Sequence, residues 1–505
     1  MKKIFFMVLD IAENMSGLEY AAFAREKLFQ QHLDLKPTIA TNYYNPSWHK
    51  NKTLLQEKNR ASSSVSLLNM YDYFQQVTDY AAADAGFSSE LLSPFRSVPV
   101  PDTTDIRLYN SKGEFVAYCK RNDDLSVNFI NYLHEGIVFR RETYDVRGFL
   151  SKIDQIFKQE GYELVHESFL RPDGSVAIAK DCKVIAGLAT VQMIHLINEQ
   201  GRLTNIFSNE KELIDFWLED LVNKNTDAIF VTDRCLEFYE PLQRIKSKLT
   251  TATKPKLIPV IHSVHTAGDV LIGEVSKFYK NVVENISEPD ATIVFTKAQK
   301  EDILQRFGNG NIQVIPHSYH RVEQTAPFEQ RNPMKVVYLA RYAPEKNHDL
   351  ALDAFKLVVA SVPKAQLHLY GFGEKKAEII EKIKTLGLEK SVFVNDFVHD
   401  IASIYQEAGL SILTSSVEGF CMSVMESLFY ACPVVAFDIN YGPAEMIQQG
   451  VNGYLVKDKD TAQFAKQIIQ TLTNPTLHKK LIQTTGQTMQ AFTHEAVALQ
   501  WKLLL

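Results

Sequence analysis

Ser415-Ser416-Val417-Glu418-Gly419-Phe420-Cys421-Met422-Ser423-Val424-Met425-Glu426 is the stretch whose reading decides the fold. Before it runs Leu410-Ser411-Ile412-Leu413, a short apolar run of the kind that forms a buried strand. After it, Val424, Met425, Leu428 and Phe429 recur at the spacing of a helix's buried stripe. A helix that opens directly after a strand has its first turn on the ligand side of an open parallel sheet, because crevices form outside the carboxyl ends of the strands. The N–H groups of that turn have no intrahelical partner and suit a phosphate. Glu418 sits in the loop, within reach of sugar hydroxyls. Glu426 lies deeper, where it can accept from a ribose. A solvated glutamate followed by one favoured by the helix dipole would look the same in isolation, so the rest of the chain has to decide.

The whole chain sets bounds. Its 505 residues are enough for two to four domains, and 45% hydrophobic with 23% charged residues is ordinary for a globular protein. A net charge of −6 gives no reason to expect nucleic acid, and a polyanionic partner would need local basic clusters. The five cysteines (Cys119, Cys182, Cys235, Cys421, Cys432) show no C-x-x-C spacing, which speaks against zinc or a disulfide framework and for a reducing cytosol. Lys2-Lys3 precede the apolar run Ile4 to Leu9, but Asp10 interrupts it too early for a signal segment. It reads as a first buried strand. No run reaches transmembrane length, so the expected place is the cytoplasm, with any membrane role peripheral at the inner face.

In chain order, a polar loop from Asp10 to Ser16 ends at Gly17, where glycine permits close backbone approach. A helix follows from about Leu18 to Gln30, with Leu18, Ala21, Ala22, Arg25, Leu28 and Phe29 along one side. From about 75 to 210 short alternating runs are separated by turns such as Asn110-Ser111-Lys112-Gly113, Arg121-Asn122-Asp123-Asp124, Arg171-Pro172-Asp173-Gly174 and Asn198-Glu199-Gln200-Gly201. That texture predicts an antiparallel meander inserted into the first α/β domain. Its exposed edges suit self-association or acceptor gripping. Lys112, Lys120, Arg121, Arg140 and Arg141 favour a phosphate-rich or acidic acceptor. Helix and strand then alternate again, with a helix over Leu213 to Leu221 and strands at Ala228 to Val231, Leu257 to Ile261, Ile293 to Thr296 and Ile312 to Pro316. His262 and His265 follow the strand at 257–261 and are expected at the cleft edge, able to donate to a sugar hydroxyl or carbonyl.

A second α/β domain begins near Met334. Its first strand, Lys335 to Ala340, ends in Arg341-Tyr342-Ala343-Pro344-Glu345-Lys346. Arg341 and Lys346, a planar fork and a compact charge, are placed to pinch a diphosphate. Gly371-Phe372-Gly373-Glu374 is no dinucleotide fingerprint, since Lys376 stands at the third glycine position. Val392-Phe393-Val394 leads into Asn395-Asp396-Phe397-Val398, and Pro433 to Phe437 is another buried strand. Asn452-Gly453-Tyr454-Leu455 reads as a structural turn, and Glu495 to Leu505, with Trp501, as a tail helix.

Glu418 and Glu426 with seven residues between them, the strand–Arg-x(4)-Lys element and the Asn-Gly-x-Leu turn together resemble retaining nucleotide-sugar glycosyltransferases of family 4. The β-rich insert and the run Phe437-Asp438-Ile439-Asn440-Tyr441-Gly442-Pro443 are similar to two bacterial groups within it, wall-teichoic-acid α-glycosyltransferases and enzymes that glycosylate serines of Ser-rich adhesins. The resemblance implies an α/β protein of the GT-B fold, two Rossmann-like domains facing a cleft. The segments would be 1–74 and 211–322 for the N-terminal domain, 75–210 for the insert, 323–488 for the nucleotide-sugar domain and 489–505 for a helix returning to the first domain.

The same resemblance implies transfer of glucose or N-acetylglucosamine from a UDP-sugar to hydroxyls of a repetitive surface polymer. Arg341, Lys346 and Glu418 would serve the chemistry. Gly17, His262, His265, Gly419, Phe420, Cys421, Met422, Ser423, Val424 and Glu426 would line the donor, with Phe397 and Val398 against the uracil. Where many relatives carry Gly-Gly in the first loop this chain has Ser16-Gly17, and Asp396 replaces the glycine before the base-facing aromatic. No cofactor or metal is expected, because no D-x-D stands at a strand end and cationic side chains can stabilise the leaving diphosphate. Expected partners are the donor, the polymer, and further copies through the insert or a paralogue in a hetero-complex. The alternatives are a catalytically inactive acceptor-binding chaperone, which retention of both glutamates opposes, and an NAD-dependent enzyme, which lacks its glycine fingerprint.

Overall fold

The structure is a computed structural model that describes residues 2–13, 15, 17–77, 91–159 and 162–505. Ser16, at the end of the expected polar loop, and residues 78–90, at the start of the expected insert, lie outside the described residues. The chain divides into two units, Met1–Leu257 and Ile258–Leu505. Within the second unit Phe295 meets Phe420, Tyr441 Oη donates to Asp302, and Tyr319 N–H donates to the Phe492 carbonyl.

The first unit is built on Ile4–Met7, buried at every residue, as a strand covered on both faces must be. It pairs in parallel with Ile229–Thr232 on one side and Thr38–Thr41 on the other, with Phe6 opposite Val231 and Ile39. Ser66–Asn69 and Lys256–Pro259 are the edge strands. The helix after the first strand is longer than expected, Gly17–Leu33, and buries Ala22, Phe23, Leu28 and Phe29. Leu18 is only half-buried, because Glu19 turns inward to pair with Arg234 at 2.7 Å while Arg25 pairs with Asp233.

Between the helix Met70–Gln75 and the helix Glu210–Lys224 lies a ten-stranded sheet, from Arg96–Pro99 to Leu203–Phe207, each strand beside its sequence neighbour. Its pairs are antiparallel, so the expected meander is present. The turns follow their chemistry. Asn110 Oδ1 accepts from Lys112 N–H, Asp124 Oδ1 from Ser126, Asp173 Oδ1 from Ser175 and Asn198 Oδ1 from Gln200. Two buried cations fasten the sheet to the rest of the unit. Arg147 pairs with Asp145 at 2.7 Å and Asp72 at 3.0 Å, and Lys180 donates to Tyr71 Oη at 2.6 Å and to Glu210.

The expected basic cluster is not a free patch. Lys120 reaches Asp105, Arg121 donates to the Thr104 carbonyl, Arg140 pairs with Glu142, and Arg141 donates to Asn131. The acceptors come from the same strand for Arg140, from the loop before Ile106–Tyr109 for Lys120 and Arg121, and from the neighbouring strand for Arg141, while Lys112 is exposed on its turn.

The second unit carries a six-stranded parallel sheet in the order Val392–Asn395, Gln366–Tyr370, Asn332–Leu339, Ala408–Leu413, Val434–Asp438, Gly453–Lys457. Numbered along this sheet the order is third, second, first, fourth, fifth, sixth. The topology therefore reverses between Asn332–Leu339 and Ala408–Leu413, and the loops leaving those two strands flank the switch point where ligands bind. Asn452 is structural as expected: its Oδ1 accepts from Gln448 N–H at 2.7 Å and its Nδ2 donates to Met446 and Thr488. The last helix is His494–Leu504, with Trp501 buried. Among the described residues no helix is long and apolar enough to cross a membrane.

Candidate active site

The two switch-point loops are stitched together before any ligand is considered. Asn332–Leu339 leads through the short 3-10 turn Pro344–Lys346 into the helix His348–Ser361. Tyr338 Oη donates to the Lys346 carbonyl at 2.6 Å. From the other loop, Thr414 Oγ1 lies 3.1 Å from the Lys346 and Asn347 carbonyls, and Ser416 N–H donates to the Glu345 carbonyl at 2.8 Å. Thr414 is fully buried, so its contacts form away from competing water, whereas Ser416 is exposed. The outcome is an ion pair across the switch point. Lys346 Nζ lies 2.6 Å from Glu418 Oε1, and Ser415 Oγ donates to the same oxygen at 2.7 Å. Arg341 stands apart from this pair. Its side chain is 60% exposed and bonds Glu345, four residues on, at 2.5 Å. Each cation expected on the diphosphate thus rests on its own carboxylate.

Beyond Glu418 the backbone is fixed by close approach. A Cβ on Gly419 would overlap the carbonyl of His262, and one on Gly442, at φ 115°, would overlap that of Phe420. Phe420 is buried against Phe295, His317 and Phe492. Cys421 takes the left-handed conformation, φ 71°, and stops the turn at the start of the helix Met422–Phe429. Its thiol, whose pKa burial drives upward, donates to the Tyr441 carbonyl. Val424 and Met425 N–H already bond the Cys421 carbonyl, while those of Met422 and Ser423 have no backbone partner among the described residues. Of the expected donor-lining run, Met422 and Ser423 therefore present open backbone amides, while Gly419 is packed against the His262 carbonyl. Phe420, Cys421 and Val424 build the core beneath.

The two glutamates differ in kind. Glu418 is held by Lys346 and Ser415. The Glu426 carboxylate has no hydrogen bond or ion pair among the described residues, and burial pushes its pKa up to about 7. Tyr319 and Tyr405 are the titratable groups that feel its charge. An acceptor poised half-desolvated and unpaired is suited to neutral hydroxyls.

The expected residues outside this loop differ in placement. His262, whose carbonyl abuts Gly419, is half-buried, edge-on to Phe295, with its backbone N–H donating to Tyr279 Oη. His265 does not emerge at an edge: it is fully buried, stacked parallel to Tyr441 with its ring edge-on to Phe307, and burial lowers its pKa. Rings from elsewhere in the unit cover it, which the strand-end position alone does not reveal. Phe397 is 53% exposed, whereas Val398 packs inward against the cluster of Val337, Ile404 and Tyr405. Phe397 has an unexpected companion in Phe372, 58% exposed and perpendicular to it at 5.8 Å. The signal was in the sequence, since a phenylalanine between Gly371 and Gly373 is set on a loop pinned by contacts to the Ala340 and Tyr342 carbonyls. Gly17 opens its helix in the first unit, exposed and with open space around it. Among the described residues no three His, Cys, Asp or Glu side chains gather as a metal group.

Two cations, two unlike carboxylates and open helix amides gather at the switch point of a doubly wound sheet, and the fold is that of GT-B glycosyltransferases. Residues 320–488 match the family model of Glycosyl transferases group 1, and the chain is a glycosyltransferase. It is similar along most of its length to the poly(ribitol-phosphate) alpha-N-acetylglucosaminyltransferase of Staphylococcus aureus (strain COL), 26% identical over 496 residues, which are 94% of each chain. A crystal structure of an S. aureus TarM mutant with Fondaparinux, alpha-GlcNAc-glycerol and UDP matches at a TM-score of 0.81 and 23% identity, covering 100% of this chain and 99% of that one. The pneumococcal O-GlcNAc transferase GtfA, in complex with UDP and GlcNAc, matches at 0.81 and 18% identity, covering 99% and 98%. The structural likenesses establish the shared fold.

Proposed function

We propose that the chain is a retaining α-glycosyltransferase that moves glucose or N-acetylglucosamine from a UDP-sugar to hydroxyls of a repetitive cell-surface polymer. The observation that carries this reading is the Lys346–Glu418 pair at the switch point beside the unpaired Glu426. Lys346 and Arg341 would turn to the diphosphate, Lys346 having N–H groups to spare for both phosphate and Glu418. The amides of Met422 and Ser423 would support the same charge, Glu418 would hold sugar hydroxyls, and Glu426 the ribose. Phe397 would face the uracil. In the transfer the acceptor oxygen bonds to C1 as the C1–O bond to UDP breaks, and the acceptor proton passes to the departing phosphate oxygen. Donors already in place as charge builds on that oxygen are the largest single source of rate in such sites, and they make a metal unnecessary.

The named activities of the relatives support a teichoic-acid polymer or a protein serine as acceptor. The reaction would take place in the cytoplasm, peripheral to the inner face of the membrane. Self-association through the insert, or pairing with a paralogue, is supported by an exposed apolar row on the sheet. Phe157 lies opposite Leu164, and Ile185 opposite Leu188, all four exposed. The test is to incubate the purified chain with UDP-glucose and UDP-N-acetylglucosamine, alone and with poly(ribitol phosphate), poly(glycerol phosphate) or a serine-rich peptide. Transfer with an α-anomeric proton signal supports the reading. A chain that binds acceptor yet neither hydrolyses nor transfers any donor is instead the inactive partner of another enzyme.

A further inference from the structure

Arg171 opens one of the hairpin turns of the insert, and its guanidinium is buried, 6% exposed. Among the described residues it pairs with no carboxylate within ion-pair distance. Nη1 donates to the Val176 carbonyl at 2.9 Å and to Ser175 Oγ at 3.3 Å, Nη2 donates to the Ile197 carbonyl at 2.6 Å, and Nε has no partner. A guanidinium has five N–H groups; the Nε–H is sealed from solvent, so one Nη2–H remains to reach an oxyanion. Its positive charge favours the more highly charged phosphate over a simple carboxylate. The nearest charges, Asp173 and Glu199, stand on exposed turns where water and salt screen them. Burying a cation without an anion is costly, and burial pulls the Arg171 pKa below its usual value.

A cavity of about 320 Å³ adjoins this side chain, lined also by Tyr73, Phe74, Gln76, Leu196 and Asn198. It offers a ring edge and apolar wall for a carbon skeleton, two amides for hydroxyls and one guanidinium for an anion. We infer that this cavity is a second binding site, outside the catalytic centre, for a phosphodiester unit of a polyol-phosphate acceptor. The inference rests on the reading of the chain as a polymer glycosyltransferase and narrows it, because a neutral serine-rich peptide brings no oxyanion to Arg171. A second grip on a chain of identical units raises the effective concentration of the next hydroxyl without adding any contact at the catalytic centre.

The experiment uses the full chain and two variants. Arg171→Gln removes the charge, and Thr204→Trp fills the mouth from an exposed lining position while leaving Arg171 intact. Calorimetry without donor measures binding of a synthetic glycerol-phosphate dodecamer, with inorganic phosphate and acetate as competitors. Both variants are expected to weaken dodecamer binding about tenfold, the scale of a lost charge-assisted hydrogen bond. Phosphate is expected to compete in the parent chain and acetate to compete poorly. In transfer assays the preference for the dodecamer over a glycerol phosphate dimer should fall by a similar factor. Should Arg171→Gln fail to fold, Thr204→Trp decides alone. Unchanged dodecamer binding in the folded variants, or acetate competing as well as phosphate, overturns the assignment. Because binding is read without donor, a chain that grips the dodecamer but transfers nothing defeats the proposed activity and leaves this site standing.

Discussion

Lys346 Nζ and Glu418 Oε1 are 2.6 Å apart, each side chain only 15% exposed, across the point where the second sheet reverses its strand order. Seventy-two residues separate them in sequence. Glu418 is the anion that neutralises Lys346 in the structure. The pair limits the cost of keeping the ammonium largely out of water, and under the proposed function a diphosphate would take up the ammonium's remaining hydrogen bonds.

Lys346→Ala is expected to lower kcat by about 10²–10³ and to raise the donor KM, the scale of losing one preorganised charge stabiliser. Arg341→Ala is expected to do the same to a smaller extent, since Arg341 must leave Glu345 and solvent to reach the donor. Steady-state kinetics with the UDP-sugar checks both. Near-normal turnover in the two variants removes the phosphate-clamp roles.

Glu426 gives a pH signature. Its folded-state pKa, about 7, lies above the usual value for a glutamate, so between about pH 4.5 and 7 the folded chain holds more protons than the unfolded one. Stability contributed by the neutral carboxyl is present below that window and is lost as pH rises through it. Glu426→Gln should therefore gain in Tm relative to the parent on going from pH 5 to pH 8. Its donor KM should be raised and flat with pH, while that of the parent falls as the carboxylate forms. An unchanged KM with a collapsed kcat would make Glu426 a group in the chemical step.

Gly419 admits no side chain, because its Cα faces the His262 carbonyl. Gly419→Ala should force those backbones apart at about 1–3 kcal/mol, the usual scale of overpacking. Calorimetric melting should show the loss, and transfer should fall with it because Glu418 precedes the displaced residue. A variant with parental Tm and activity would mean that the loop moves freely.

Phe372 and Phe397 are two exposed rings at right angles on adjacent strand ends. If they receive the base, Phe397→Ala should raise the donor KM about tenfold, the order of one base–aromatic stack. Phe372→Ala should raise it less, its ring acting on Phe397 by edge contact. Comparing UDP with uridine-free diphosphate as inhibitors isolates the effect, which should vanish for the latter.

The elements of the site were legible in the sequence because each is local. An apolar run followed by Arg341 to Lys346, and another followed by Ser415 to Glu426, place their charges at strand ends whatever the rest of the chain does. What stayed hidden depends on residues distant in sequence. His265 is buried by Tyr441 and Phe307, and Arg141 finds Asn131 across a hairpin. In sequence Gly371-Phe372-Gly373-Glu374 is weighed only as a dinucleotide fingerprint, and its phenylalanine meets Phe397 from the neighbouring strand end. Val424 was assigned to the donor by motif, although its apolar side chain and its bonded amide both belong to the core.

The strand order of the first unit also sets an order of events at the ribosome. Ile4–Met7 lies between Thr38–Thr41 and Ile229–Thr232, so one of its edges waits for a partner that begins 222 residues after Met7. At roughly 5–20 residues per second that wait lasts roughly 10–45 s. The hairpins of the insert each close in about 1–10 μs and emerge wholly within this interval. The nascent chain thus carries a finished meander beside an open, apolar strand edge of the kind that recruits other chains. Guarding that edge during synthesis is a demand that the native structure, once complete, no longer makes.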